Sequence, residues 1–368
     1  MAAAAQRVTI LSLNVLADCY VRIPGCPWTD FEHCSEDALA WSARLPRLQA
    51  LLRESNADII CLQEVQFEQP LCPPGVPSWA SEALAADYVG VMQDDAKRAA
   101  TQKTGNATFF RASMFEQSAA ADHRSRSLTL WLRCKGDENS VFAVANCHLE
   151  GNPDKGNERI AQLRSVQRCI DSKAKTTLPH ATRAVICGDF NSELEGTPLG
   201  AVALARCGVA DGHVSEGGAW CNAIGTPVPP TWYAPGSSLT LDHVLFCDNG
   251  LASEPLHADC DVAALTASGL PDAQHPSDHL PIIASLRFTE WKHAVTAAAG
   301  GAELNAEEAA ALECQWRQLS ESAPEKPQGK PSAEQMAALK EHAAKMKAWL
   351  ATLTPAAAEH AKRFVKGK

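Results

Sequence analysis

The chain has 368 residues, 46% of them hydrophobic, and a formal net charge of −10. That length holds one large α/β domain with an appendage, or two modest domains, and the apolar fraction supports a buried core. No run of eighteen apolar residues occurs and the start, MAAAAQR, has no apolar h-region, which excludes a membrane-spanning helix, makes a secretory signal unexpected, and leaves an acidic balance that weighs against broad duplex binding.

In chain order, residues 8–13 (VTILSL) read as a strand that ends at Asn14. Residues 45–54 carry apolar side chains at helical spacing, with Pro46 near the tolerated first turn. A strand at 58–62 runs into Gln63 and Glu64. Further strands are expected at 88–92, 107–110, 128–132 and 141–147, the last delivering His148. A second amphipathic helix covers 159–171, and strands at 184–187, 241–246 and 282–286 follow. Each strand is short, apolar or alternating, and bounded by Gly, Pro, Asn or Asp. So many strands in one domain imply two sheets packed face to face with helices outside, a two-sheet α/β sandwich. The order of strands within each sheet does not follow from pattern.

From about Trp291 the composition shifts to Ala, Glu and Lys. Asn305 with Glu308, and Ser332 with Gln335, have capping-box spacing, and Thr354-Pro355 resembles a third helix start. Met336, Leu339, Met346 and Leu350 form one apolar stripe. Residues 1–290 are therefore expected to form the main domain, and 291–368 a helical extension that packs on it or binds a protein partner.

Fourteen cysteines include no C-x-x-C, and Cys61, Cys147, Cys187 and Cys247 sit inside apolar runs. They read as small core hydrophobes of a reducing, cytoplasmic compartment, with nucleus or organelle as alternatives. Basic residues are uneven: Arg124, Arg126 and Arg133 lie in one stretch, and Lys155, Arg159, Arg164, Arg168, Lys173 and Lys175 in another. A locally gripped substrate suits that distribution better than a long duplex does.

Polar residues recur at the strand ends: Asn14, Glu64, His148, Asp189 and Asn191 in GDFN, Asp242 in LDHVLF, and Asp278-His279 in PSDHLPI. Singly each has a plain explanation, such as a cap, a turn former or a core histidine. Together, each on a rigid apolar support, they form a catalytic constellation.

That ordered set resembles the endonuclease/exonuclease/phosphatase superfamily over about residues 7 to 289, and within it the deadenylase-type branch that includes nocturnin, the Angel proteins and the carbon-catabolite-repressor-type deadenylases. The resemblance rests on SLNVLAD, ICLQEV, Trp41 with Arg44, GNATFF, NCHLEGNP, GDFNS, TW before LDHVLF, and PSDHLPI. Asn152-Pro153 followed by Gly156 and AQL is more similar to Angel and the related oligoadenylate-degrading phosphodiesterase than to nocturnin.

The resemblance implies a DNase I-like sandwich and metal-dependent hydrolysis. Glu64 and Asp278 would hold magnesium, or manganese in its place, with Asn14 buttressing the metal site; hard oxygen ligands suit that ion. Asp189 would orient or deprotonate the attacking water, Asn191 would hold the phosphate, and His148 would donate to a non-bridging oxygen. Asp242 would keep His279 cationic. Pro153 would pack on an adenine beside Asn152, and Lys155 and Arg159 would contact phosphate.

The implied activity is a 3′–5′ exoribonuclease releasing nucleoside 5′-monophosphates, with single-stranded poly(A) or an adenine nucleotide as partner and no membrane. The alternative within enzymes is cleavage at a nucleotide 2′-linkage: 2′,5′-oligoadenylate, a cyclic phosphate or an NADP(H) 2′-phosphate. Glu150, two positions after His148 where NADP(H) phosphatases carry a base, is expected to repel that last phosphate. The alternative of another class is an inactive RNA- or partner-binding module, which predicts a missing ligand among these residues.

Overall fold

The computed structural model describes residues 7–26, 29–67, 75–84, 87–93, 103–136, 141–176, 183–204, 220–223, 229–247, 251–256, 260–288 and 345. The chain divides into two compact units, Met1–Trp291 and Lys292–Lys368. The helix starts expected at 305, 332 and 354 lie outside the described residues.

Two six-stranded sheets pack face to face. One has the order β13-β14-β1-β2-β4-β3, where β1 is Arg7–Asn14, β2 Ile59–Gln66, β3 Tyr88–Met92, β4 Thr104–Arg111, β13 Leu251–Leu256 and β14 Ile282–Phe288. The other has the order β5-β6-β7-β8-β12-β9, where β5 is Phe115–Arg124, β6 Ser127–Cys134, β7 Val141–His148, β8 Arg183–Asp189, β9 Trp220–Asn222 and β12 Asp242–Cys247. A separate hairpin pairs β10 (Trp232–Ala234) with β11 (Ser237–Leu239). The core between the sheets is built from Ile10, Ile59, Phe110, Leu130, Phe142, Val144, Val185, Val244 and Ala284. On the outer faces, Leu48 and Leu52 of α1 (Trp41–Ser55) cover the first sheet. Leu163, Val166 and Ile170 of α2 (Gly156–Thr176) cover the second.

The expected strands all occur, and both expected helices run longer than their apolar stripes. Because α1 begins at Trp41, Pro46 lies inside the helix rather than in its first turn. Strands β5 and β13 escaped the pattern for a physical reason. β5 is an edge strand broken by two register shifts and β13 is an edge strand containing Pro255, so neither carries a clean alternation. No disulfide joins the cysteines among the described residues, and Cys61, Cys147, Cys187 and Cys247 are buried. No described helix is long and apolar enough to cross a membrane.

The topology decides where the strand-end residues go. Each sheet has one parallel pair near its centre, β1 with β2 and β7 with β8. Parallel strands deliver their C-termini to the same edge, so Asn14 lies opposite Gln63 and His148 opposite Asp189. Antiparallel β12 begins at that edge with Asp242 facing Asp189, and antiparallel β14 begins there after the 278–279 loop. A buried amide network ties the two sheets beside this edge. Asn146 Nδ2 donates to the carbonyls of Leu62 and Ala107, both at 3.0 Å, and Gln63 Nε2 donates to Asn146 Oδ1 at 2.8 Å.

Candidate active site

Glu64 follows an apolar run, yet its carboxylate does not simply continue the pleat. The β2–β4 register shifts between Leu62 and Val65, and Glu64 itself has φ 57°. A bulge of this kind turns one side chain out of the strand's alternation, at a backbone cost that the surrounding packing must hold. The turned carboxylate accepts from Asn14 Nδ2 at 3.0 Å and from the Ala17 amide at 3.1 Å. Asn14 Nδ2 also donates to Asp189 Oδ2 at 3.1 Å, while its Oδ1 accepts from the Leu16 amide at 3.0 Å. Asn14 is thus a strut between two carboxylates, with its oxygen already engaged.

Asp189, 2% exposed at its side chain, is ringed by donors. Its Oδ1 accepts the Asn191 amide at 2.7 Å, an approach made possible by the left-handed Asn191 (φ 51°). Around Oδ2 stand Asn14, Asn191 Nδ2 at 3.4 Å, His148 Nε2 at 3.6 Å and His279 Nε2 at 3.8 Å. Burial pushes the Asp189 carboxyl up, and the His279 and His148 imidazoles pull it back.

Behind His279, Asp242 Oδ2 meets Nδ1 at 2.7 Å with no exposure of the aspartate side chain. Burial works against charge on His279, but Asp242, Asp278 and Asp189 outweigh it and hold the imidazolium well above the usual histidine range. For His148 the balance is reversed: burial prevails over Asp189 and lowers it. Two imidazoles with proton affinities pushed apart therefore flank the buried Asp189 at one sheet edge, the arrangement general acid–base chemistry requires.

Burial, followed by the neighbouring Asp278 carboxylate, pushes Glu64 up to about 7, against the hydrogen bonds from Asn14 and Ala17. Two close carboxylates in a desolvated corner call for a cation between them. Among the described residues no three His, Cys, Asp or Glu side chains gather as a ligand cluster. The corner accordingly fits a hard divalent ion held by one or two carboxylates with water completing its shell, and not a closed thiolate or imidazole cage. Asp278 is itself positioned: Trp232 Nε1 donates to its Oδ2 at 3.1 Å.

Several supporting residues carried no readable role in the sequence. Thr231 Oγ1 accepts from the amides of Leu241 and Asp242, both at 3.0 Å. Ser277 Oγ donates to the Asn14 carbonyl at 2.7 Å and accepts from the His279 amide at 3.2 Å. Buried Arg44 donates to the carbonyls of Leu39, Val15, Leu16 and Pro276 at 2.8–3.2 Å, joining the loop after β1 to the loop before His279. Trp232 and Arg44 belong to motifs the sequence displays. Apart from Leu39, their partners lie tens to hundreds of residues away, so no local pattern could assign them.

Asn152, Pro153 and Lys155 lie on an exposed turn after β7, with Lys155 Nζ 3.4 Å from Glu158. Gly151 places this turn beside the centre: a Cβ there would sit 3.7 Å from Asn191 Oδ1. Arg159 departs from expectation. It is 7% exposed, and its guanidinium donates to the carbonyls of Glu150, Asn152 and Pro153 at 2.7–3.0 Å. It therefore braces the turn rather than offering a free cation to phosphate. Glu150 differs as well: its carboxylate pairs with Arg126 at 2.7 Å, and the Asn152 amide and Arg126 hold it low despite burial. The repulsion expected of Glu150 toward a phosphate is thus largely compensated.

Arg159→Lys is expected to raise KM roughly three- to tenfold, about as much as Arg159→Ala, because an ammonium cannot reproduce a fork to three carbonyls. Full rescue of KM by lysine would return Arg159 to a phosphate-binding role.

A model of the Endonuclease/Exonuclease/phosphatase family matches residues 11–279. The 2′,5′-phosphodiesterase 12 of Rattus norvegicus is 27% identical over 343 residues, covering 77% of this chain and 52% of that protein. The CCR4-Not complex 3′-5′-exoribonuclease subunit Ccr4 of Schizosaccharomyces pombe is 25% identical over 353 residues, covering 78% and 50%. The chain thus spans about half the length of these curated relatives. Among solved structures, ANGEL2, described as a 2′,3′-cyclic phosphatase, in complex with adenosine-2′,3′-vanadate, superposes with a TM-score of 0.58 at 21% identity, covering 77% of this chain and 96% of that one. That likeness shows the shared fold.

Proposed function

Because this chain belongs to the Endonuclease/Exonuclease/phosphatase family, we propose that it is a divalent-metal-dependent phosphodiesterase. Its substrate would be the 3′ end of single-stranded RNA, poly(A) first, and its products nucleoside 5′-monophosphates. The observation that carries this reading is the convergence of Asn14, His148 and His279 on Asp189, with Glu64 beside Asn14 and His148 and Asp242 locked behind His279. None of the groups an inactive module would lack is missing.

Glu64 and Asp278 would hold magnesium or manganese, which supplies Lewis-acid polarisation of a phosphoryl oxygen. Asp189 is the acceptor for the proton of an attacking water: burial strengthens it as a base, and Asn191 fixes its orientation. The His279 imidazolium, kept charged by Asp242, stabilises negative charge as it develops on the phosphorus oxygens, and His148 donates to a second oxygen. Attack breaks the P–O3′ bond, so the shortened chain leaves with a 3′-hydroxyl and the phosphate stays on the released 5′-monophosphate. Pro153 and Asn152, on the turn braced by Arg159, would receive the terminal adenosine. The buried thiols suit a reducing compartment, the cytoplasm first.

A second reading, hydrolysis of a 2′,5′ linkage, is favoured by the likeness to 2′,5′-phosphodiesterase 12 over 77% of this chain. The same constellation serves either linkage, since the two differ only in which ribose oxygen leaves.

A 5′-labelled 3′,5′-oligo(A) incubated with the protein and magnesium should give a one-nucleotide ladder that EDTA abolishes. Intact 3′,5′-RNA beside a degraded 2′,5′-linked oligomer would transfer the assignment to the second reading.

A further inference from the structure

Away from the catalytic edge, a cleft of about 370 Å³ opens between the β5–β6 hairpin and the outer face of α2. Arg124, Ser165, Arg168, Cys169 and Lys173 line it, with Asp122 as its single acid. That acid is already engaged, by Lys173 Nζ at 2.9 Å and by Trp131 Nε1 at 2.8 Å. Lys173 is also spent on the Ala120 carbonyl and on the Trp131 ring. Two guanidiniums therefore give the cleft a net positive charge. Both are exposed; Arg124 donates to Ser165 Oγ at 2.9 Å and Arg168 to the Arg164 carbonyl at 3.2 Å. This stands out on a chain with a net charge of −10.

The cleft is joined to the catalytic edge through the hairpin turn. Arg124 pairs with Ser127 across it, so Arg126 is two residues away, at most ~7 Å along the chain. The Arg126 carbonyl accepts the His148 amide at 2.9 Å and Asn106 Nδ2 at 3.4 Å, and the Arg124 carbonyl accepts from Gln93 Nε2. The turn is thus pinned to residues of both sheets and holds its two arginines in fixed relation to His148. From Ser165 to Lys173, α2 carries the positive surface on for about 12 Å.

No aromatic side chain is among the residues that line the cleft. Contact there would be to a sugar-phosphate backbone without base stacking, and so indifferent to base identity.

We infer that this cleft is an exosite for the phosphodiester backbone of the substrate strand upstream of the end being cleaved, with Arg124 and Arg168 as its phosphate contacts. The inference rests on the proposed exoribonuclease reading and deepens it: the enzyme would grip longer strands better than short ones. Local grip of this kind also reconciles an acidic chain with a polyanionic substrate.

The test is Arg124→Gln/Arg168→Gln measured on a three-nucleotide and a twenty-nucleotide oligo(A) across a salt series. For the long strand KM should rise roughly tenfold at moderate salt, and the slope of log(1/KM) against log salt should shrink by about 1.4, two single-strand phosphate contacts. Turnover of the trinucleotide should be unchanged. Equal effects on both lengths, or none on either, overturn the exosite while leaving the exoribonuclease reading standing. A wild-type protein that cleaves neither length removes the reading itself and the exosite with it.

Discussion

Glu64→Gln is expected to lower kcat by about three orders of magnitude while leaving the protein folded. The amide keeps an oxygen to accept from Asn14 or Ala17, so the local hydrogen bonding can persist. What is lost is the charge that, with Asp278, would hold a divalent ion, and such ions supply several kcal/mol at a phosphoryl centre, where 1.36 kcal/mol is a factor of ten. A thermal melt separates the two aspects. Glu64 has a carboxyl pushed up to about 7 by burial and Asp278. A raised folded value means the proton-bound form is favoured in the folded state, so this group's stabilisation is present below the unfolded carboxylate range and is lost as pH rises through about 7. In EDTA above that pH the glutamine variant should therefore melt no lower than wild type, and above it if desolvated charge dominates. A variant with wild-type kcat in magnesium would remove Glu64 from the metal site; one that fails to fold would make it a structural residue.

The second large effect is expected at Asp242→Asn, a drop in kcat of about 10²–10³-fold. Asp242 does not face the cluster's open side; it acts through His279, 2.7 Å away at Nδ1. An asparagine there can hydrogen-bond either ring tautomer but cannot stabilise the imidazolium. With one of the three carboxylates that sustain the charge gone, the histidine's proton affinity falls. In the proposed mechanism activity depends on the protonated ring, so the alkaline limb of the kcat profile should move to lower pH, a displacement that a merely structural defect would not produce. An unchanged limb, with kcat lowered uniformly across pH, would argue that Asp242 only supports the fold. Breaking a buried pair also costs stability, roughly 3 kcal/mol or more, so assays belong well below the variant's melting temperature.

The position of Arg159 marks a limit of motif reading. A cation near the start of a helix and downstream of a catalytic histidine reads as a phosphate ligand, and Lys155 and Arg159 are equivalent on that ground. The structure separates them by burial: Lys155 stays exposed, and Arg159 turns in to three carbonyls of the turn that precedes it. Glu150 illustrates the converse. Its charge is evident in the sequence, but its effective charge depends on Arg126, 24 residues earlier, which arrives only because β6 and β7 pair.

Read alone, the sequence determined the two-sheet class, most of the central strands and the family likeness, and it singled out Asn14, Glu64, His148, Asp189, Asn191, Asp242, Asp278 and His279 as candidates. It could do so because an apolar run ending in a polar residue is a local signal, and local signals survive in one dimension. Only the tertiary structure decided that two parallel pairs bring four of those ends to one edge, that a bulge at Glu64 turns its carboxylate toward Asn14, and that Ser277 reaches Asn14 across 263 positions. It likewise decided that Thr231, Trp232 and Arg44 brace the loops bearing the acids, and that two arginines in separate elements face one cleft. These features consist of distances between residues remote in the chain, and such distances exist only after the sheets have paired and buried their faces.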